Sequence, residues 1–548
     1  MHFPNCIFFG GRGRDLPAVA NMKRFLFLAA VLLTALSCTE KTPSADLPKA
    51  MVVAVTLDGV PVINGSSVSD VSVNPVIVME FSREISFDAF SVACLMFSGG
   101  DLEASVDGAF LTLKPVQKLA PSSTYRIGIS AGDSFGVDLI EEFVFSFTTG
   151  YDLSDKFPRI SDEELLEKVQ KQTFKYFWDY AHPVSGLARE RYGSDETVTT
   201  GGSGFGIMCI PVGVERGFIT RADAAARMRT IVDFLENKAE RFHGAYSHWL
   251  NGTSGKAIAF SANDNGGDLV ETGFLMEGLL TAKQYFSQGD EVDIREAIDR
   301  IWRGVEWDWY TRDGQDVLYW HWSPDKGWAM NMKIQGWNEA LIIYVLAASS
   351  PTHPIDADVY HKGWARDRSM KPTQNGPLFF AHYSFLGMNP HGLKDAYCTS
   401  YWDQNVAHAQ YNYDYCVRNP GKHAGYSASC WGLTASDIPN GYTASSPTND
   451  KGVIAPTAAL ASMPYLPEKC MAALHTFYYI YGDKLWGEYG FRDAFCLDKA
   501  WFATSYISID QGPIVIMIEN YRTGLLWDLF MADTDVRAGL TRLGFTYE

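Results

Sequence analysis

Positive charge is scarce in this 548-residue chain: 46 Lys and Arg stand against 64 Asp and Glu, a formal net charge of −18 at pH 7. Phosphate backbones and anionic lipid surfaces attract cations, so nucleic acid and direct adsorption to a membrane are excluded as partner classes. Metal-site spacings are missing too. There is no C-x-x-C pair, and His321, His353, His361, His382, His391, His408 and His423 form no H-x-x-x-H or H-E-x-x-H arrangement. The expectation is therefore no metal and no cofactor. No G-x-S-x-G surrounds a serine, and the glycine-rich run Gly201–Gly206 lacks the lysine of a phosphate loop, so it reads as a helix entrance. No fixed internal period supports a solenoid. Beyond the leader, no run of eighteen apolar residues offers a membrane span. Of the 9 cysteines, Cys6 and Cys38 fall in the leader, and the remaining odd set at wide spacings is no disulfide framework. One bridge among Cys398, Cys416 and Cys430 stays open, and the other thiols read as small buried apolar groups.

What is abundant is aromatic. Phe, Trp and Tyr make up 14% of the chain, beside 47% hydrophobic and 20% charged residues, a globular composition with flat rings to spare for apolar faces such as those of sugars. Met22-Lys23-Arg24 and the run FLFLAAVLLTALSC have the basic and apolar regions of a signal peptide, ending at Cys38 in the manner of a bacterial lipoprotein. This predicts a leader over 1–38 with lipid attachment at Cys38, a polar tether over 39–49, and a location in the cell envelope. From 50 to 150, short β-branched and aromatic runs separated by Gly, Pro, Asp and Ser predict a small β-sandwich. It has no Trp to form a sugar platform, so it reads as a spacer rather than a carbohydrate-binding module. After a linker over 151–160, the texture of 161–548 is helical. About twelve helices follow, apolar ones alternating with amphipathic ones, as a closed double ring of helices requires.

The organising stretch is Ser261–Leu280, SANDNGGDLVETGFLMEGLL. A polar, glycine-broken turn leads into a helix apolar on nearly every side, with Asp268 and Glu271 three residues apart in its first turn. Acids favour helix N-termini on electrostatic grounds alone, so one such start decides nothing. Two more follow the same plan. Gln335-Gly336-Trp337-Asn338-Glu339 precedes ALIIYVLAA, and Ser508–Pro513, with Asp510, precedes IVIMIENYRTGLLWDLF. If these buried helices run the same way, Asp268, Glu271, Glu339 and Asp510 meet on one rim. Glu519, inside the third helix, reads as the partner of Arg522 in an intrahelical salt bridge. Converging carboxylates among Trp and Tyr suit glycoside hydrolysis, which needs one protonated acid and one ionised carboxylate.

The phrases TFKYFWDYAHPVSGLARER, GFGIMCIPVGVERGFITRADA, NDNGGDLVETGFLMEGLLTAKQYF, KIQGWNEALIIYVLAASSPTHPI, CWGLTASDIPNGY and IDQGPIVIMIENYRTGLLW resemble the bacterial glucoamylase-like lipoproteins of glycoside hydrolase family 144. NPVIVMEFSREIS and FVFSFTTG likewise resemble bacterial Ig-like modules. The resemblance implies a mainly α protein, an (α/α)6 toroid behind an all-β Ig-like sandwich. It also implies metal-free, inverting hydrolysis of β-1,2-glucan or sophoro-oligosaccharides. Carried over residue by residue, it makes Glu339 the proton donor and Asp268 or Glu271 the group that activates water, with Asp510 in reserve. Asn263, Asp264, Gln335, Trp337, Trp431 and Gln511 are the expected sugar contacts. The expected partner is a saccharide, with the membrane reached only through the lipid, and the chain is expected to be a monomer. The alternative is a non-catalytic glycan-binding lipoprotein using the same helical cup.

Overall fold

The computed structural model describes residues 47–86, 94–364 and 373–547, and the chain divides after Gly150 into two compact units. The leader and Cys38 lie outside the described residues. No helix among those described is long and apolar enough to cross a membrane.

The first unit is an all-β sandwich. One sheet orders Val60–Pro61, Val52–Leu57, Ile77–Phe81, Phe110–Pro115 and Leu102–Asp107 side by side; the other orders Ser67–Val71, Phe143–Thr149, Thr124–Ile129 and Leu95–Phe97. Alternation sets the core. Ile77, Met79 and Phe81 turn inward from the first sheet and meet Ile127, Ile129, Phe145 and Phe147 of the second.

The second unit is helical. Its α-helices of five residues or more, among the described residues, are α1 (Asp162–Trp178), α2 (Thr200–Glu215), α3 (Arg221–Asn237), α4 (Leu269–Tyr285), α5 (Val292–Arg303), α6 (Leu341–Ser349), α7 (Tyr401–Arg418), α8 (Pro456–Leu460), α9 (Pro467–His475), α10 (Ser508–Arg522), α11 (Leu525–Ala532) and α12 (Thr534–Arg542). Local chemistry explains their ends. Ser161 and Glu164 form a reciprocal capping box at α1. Gly524, at φ +76°, breaks the long Asp510–Phe530 run into α10 and α11. Ala357–Val359 passes at once into the wider turn Tyr360–Trp364.

Helices α2, α4 and α6 are buried on every side, whereas α5 buries only Ile294, Ala297, Ile298, Ile301 and Trp302, one helical stripe. The buried helices are neighbours in the order α8, α10, α2, α4, α6, and the short turn Tyr383–Phe385 packs beside α6. Glycine lets α2 and α4 touch backbone to backbone. A Cβ on Gly204 would stand 2.1 Å from the Phe274 carbonyl oxygen, and one on Gly278 2.2 Å from that of Gly204. Gly201 meets Glu271 while Gly204 meets Phe274, so α2 and α4 run parallel; Gly202 meets Ser508 and Gly512 meets Phe205, so α10 runs with them. Their N-termini share one end of the unit.

Cys398, Cys416 and Cys430 are separate buried thiols, so the bridge left open by the sequence is not formed. Glu519 also departs from expectation. It takes the Arg216 guanidinium at 2.8 and 2.9 Å, while Arg522 turns to Glu163 and Glu167 on α1. Arg522 is drawn to the acids of α1, and the cation that reaches Glu519 comes from the end of α2.

Candidate active site

At the shared end of α2, α4 and α10, carboxylates gather. Asp268 is the N-cap of α4: its Oδ1 accepts the N–H groups of Val270 (2.9 Å) and Glu271 (3.0 Å). Its Oδ2 accepts Trp320 Nε1 and His248 Nδ1, both at 3.0 Å. Four donors on two oxygens fix this side chain completely, and it is fully buried. Glu271, three residues on, reaches the first turn of α2, where the Gly201 N–H donates to its Oε2 at 2.7 Å. Its Oε1 lies 3.9 Å from His248 Nε2. A side chain at position 201 would press on that carboxylate, a Cβ standing 2.7 Å from Oε2.

The sequence reading missed His248. It lies on the loop after Ala245–Tyr246, between Ser247 and Trp249, and reaches toward Asp264 (3.8 Å) as well as Asp268 and Glu271. Burial pulls the imidazole toward neutrality, but Glu271, Asp268 and Asp264 together push its pKa up to about 10. It is an imidazolium at neutral pH, and Phe260 stacks over it with ring centres 4.1 Å apart. The signal for it was a histidine inside an aromatic loop. His248, Asp264 and Asp268 bring one donor atom each within 4.8 Å, a spacing a metal ion could use. His248 Nδ1 also stands 3.0 Å from Asp268 Oδ2.

Asp264 is buried with Oδ1 lacking a hydrogen bond, and burial followed by the charge of Asp268 raises its pKa to about 7. Its turn is anchored by His321, whose Nε2 accepts the N–H groups of Asn265 (3.1 Å) and Gly266 (2.8 Å). An imidazole accepting at Nε2 is neutral, in keeping with the downward shift that burial imposes on His321.

Glu339 is not in the opening turn of α6 as expected. Gly336, at φ +80°, and an Asn338 side chain accepting the Ala340 N–H (2.9 Å) hold it in a turn just before that helix. Its carboxyl is partly open and accepts only its own backbone N–H among the described residues. Burial raises its pKa to about 7, with help from Glu271 and Asp268.

Asp510 sits in the first turn of α10 beside a second acid group that the sequence did not reveal. Asp493 lies within electrostatic reach of it, and Asp493 Oδ1 and Asp510 Oδ2 are each buried with no hydrogen-bond partner among the described residues. Burial and Asp493 drive Asp510 upward; burial and then Asp437 lift Asp493 to about 7. Asp493 Oδ2 accepts the Asp437 N–H at 2.6 Å, and Arg191 bridges Asp437 and Glu190. Tyr383 lies within electrostatic reach of Asp510, Tyr442, Glu339 and Glu271.

The expected sugar contacts divide. Asn263 is exposed on its turn, and Gln335 is half-buried beside Glu339. Trp337 is 8% exposed, stacked against Tyr401 with its Nε1 unpartnered. Trp431 has no exposed surface, packs its ring against Tyr413 and donates Nε1 to the Lys469 carbonyl. Gln511 is buried and donates to the Phe491 carbonyl (2.7 Å), while its Oε1 has no hydrogen-bond partner among the described residues.

Comparison with known proteins adds an independent line. Residues 331–534 match the family model described as "Putative glucoamylase", and residues 55–149 match the bacterial Ig-like domain. An exo β-1,2-glucooligosaccharide sophorohydrolase (non-reducing end) of Parabacteroides distasonis is 47% identical over 421 residues, 70% of this chain and 58% of that protein's length. A solved "putative glucoamylase" from Bacteroides uniformis is 54% identical with a TM-score of 0.70, covering 71% of this chain and 99% of the other. An endo-β-1,2-glucanase from Chitinophaga pinensis, solved with sophorotriose and glucose, is 48% identical with a TM-score of 0.69 over 71% of this chain and 99% of its own.

Proposed function

The chain belongs to the glucoamylase-like family of glycoside hydrolases, and from that premise we propose that it hydrolyses β-1,2-linked glucan or sophoro-oligosaccharides by inverting acid–base catalysis. Within that family we assign it to glycoside hydrolase family 144. The observation that carries the mechanism is Glu339, a partly open carboxyl with no side-chain partner and a pKa near 7, facing acids that are already bonded. Glu339 is the proton donor. It protonates the glycosidic oxygen as the C–O bond breaks, and burial keeps it protonated at neutral pH.

Glu271 is the group that takes a proton from the attacking water. Its Oε2 is held by Gly201, and its Oε1 is left with only the longer contact to His248. Asp268, with every lone pair engaged, positions Glu271 and His248 rather than reacting. Asp264, whose buried Oδ1 has no hydrogen-bond partner among the described residues, is the polar contact for a glucosyl hydroxyl, and Asn263, Gln335 and Trp337 are the further sugar contacts. Asp510, with Asp493 near it, closes the opposite wall.

In this reading the neighbour order α8, α10, α2, α4, α6 and the 378–385 segment closes as the inner ring of an (α/α)6 toroid spanning 161–548. The segment 50–150 is an Ig-like spacer and 151–160 a linker. Residues 1–38 with the 39–49 tether attach a monomer to the cell envelope through lipid on Cys38. Reducing-sugar release from β-1,2-glucan, laminarin, cellulose and starch tests the activity, with turnover expected on the first alone. Proton NMR of the first product gives the anomer; an α-anomer is expected, and retention of the β-anomer would reject inversion.

A further inference from the structure

A cavity of about 360 Å3, within the range of small-ligand sites, lies between two short hairpins at the edge of the second acid group. One hairpin pairs Ala435–Ile438 with Gly441–Ala444; the other pairs Phe495–Cys496 with Trp501–Phe502. Arg191 and Asp437 line the cavity with Trp501, Asn440 and Ser505.

Its lining has a definite chemistry. Arg191 spends Nε on Glu190 and Nη1 on Asp437, leaving Nη2 with no protein acceptor among the described residues. Ser505 Oγ donates to Asp437 at 2.6 Å, so the ion pair is locked. Trp501 differs from its neighbour. Phe502 stacks on Phe495 with ring centres 5.6 Å apart, whereas half-buried Trp501 has no ring partner and no acceptor for its indole N–H among the described residues. The Trp501 ring backs onto the small cluster of Val453, Ala455, Ala494 and Cys496. Asn440 is exposed at the tip of the first hairpin, at φ +69°.

A flat apolar ring beside fixed donors and acceptors selects among ligands. A phosphate would meet the Asp437 carboxylate, and a wholly apolar ligand would leave Arg191 and Asn440 desolvated without partners. A glucosyl unit offers a C–H face for the indole and hydroxyls that both donate and accept. Asp437, on the cavity wall, donates its N–H to Asp493, and Asp493 lies within electrostatic reach of Asp510. We propose that this cavity is a distal subsite that binds a glucosyl unit of the glucan chain away from the bond that is cut, with Trp501 as stacking wall and Arg191 as hydrogen-bond donor. The inference rests on the saccharide reading above.

The test compares wild type with Trp501→Ala, Trp501→Phe and Asn440→Gly, the last keeping the left-handed turn while removing the amide. kcat/KM is measured on β-1,2-glucooligosaccharides of stepwise length, and calorimetry follows binding of a long oligosaccharide. Trp501→Ala is expected to lose about tenfold on the longest chains, the loss shrinking as chains shorten. Trp501→Phe should recover most of it, and Asn440→Gly should show a smaller loss with the same length dependence. A loss equal at every length, or none, overturns the subsite. If wild type cleaves no β-1,2 chain, the functional reading falls separately and calorimetry decides the cavity. Binding by wild type that Trp501→Ala abolishes supports it; equal binding, or none, overturns it.

Discussion

His248 donates from Nδ1 to Asp268 Oδ2 at 3.0 Å, which puts a loop-borne cation against the capping carboxylate of a buried helix. That contact makes the acids beside it tolerable. Without it, Asp264, Asp268 and Glu271 would share one water-poor end with no compensating charge.

Replacing His248 by Gln keeps a hydrogen bond to Asp268 and removes the charge. Glu271 should then become harder to ionise, because burial and Asp268 already push it upward and His248 is the largest opposing influence. kcat is expected to fall about tenfold or more, with the acid limb of its pH profile displaced to higher pH. An unchanged limb would remove His248 from the machinery.

Glu339→Gln should lose about 10²–10⁴-fold in kcat with KM little altered, since the amide keeps the shape but carries no transferable proton. The wild-type rate should decline as pH rises through about 7, where Glu339 loses that proton. In the variant the residual rate should show no such decline. Steady-state kinetics from pH 5 to 9 reads both.

Stability has its own pH signature at His248. Its folded pKa is raised from 6.5 to about 10, so the folded state holds a proton that the unfolded chain releases between those values. The contribution is fully present below about 6.5 and is lost as pH climbs toward 10. Denaturant midpoints should fall over that window in wild type, and the fall should be smaller in His248→Gln.

Gly201→Ala is expected to damage activity before stability. The new Cβ would crowd Glu271 Oε2 at 2.7 Å, a side chain that yields, so the fold persists while the carboxylate moves. Gly204→Ala meets the Phe274 backbone at 2.1 Å and should instead prevent the helices from closing, seen as loss of soluble protein.

Far from the cleft, Arg216→Ala leaves Glu519 buried without its cation. A loss of about 3–5 kcal/mol is expected in urea unfolding. Activity per folded molecule should remain normal, because Glu519 faces Gln170 and Thr523 rather than any of the cleft acids.

Local patterns were readable in the sequence. The cap of α4, the box at α1 and the parallel acid-tipped starts of α4 and α10 each depend on residues within a few positions of one another. The failures depended on distance along the chain. His248 reaches Asp268 from twenty residues upstream, and Asp437, on a hairpin, and Asp493, on the link between two others, come near Asp510 from far along the chain. Arg216 lies 303 residues from Glu519, so the nearer Arg522 was a natural but mistaken choice. Trp431 and Trp337 look alike in one dimension, since a tryptophan beside a glycine carries no mark of whether it ends in the core or on a wall. Glu339 slipped out of its helix because Gly336 and the Asn338 side chain supply a turn that an apolar run alone does not announce.

The bare-backbone meeting of α2 and α4 has an evolutionary corollary. Because Gly204 and Gly278 seat the two helices directly on each other, the spacing between Gly201 and Glu271 is inherited from rigid rods and owes nothing to the loops above. Loops that carry none of His248, Asp264 and Glu339 are free to lengthen, shorten or change their aromatics, so that descendants of one ancestor could diverge toward long or short glucans without retuning the chemistry.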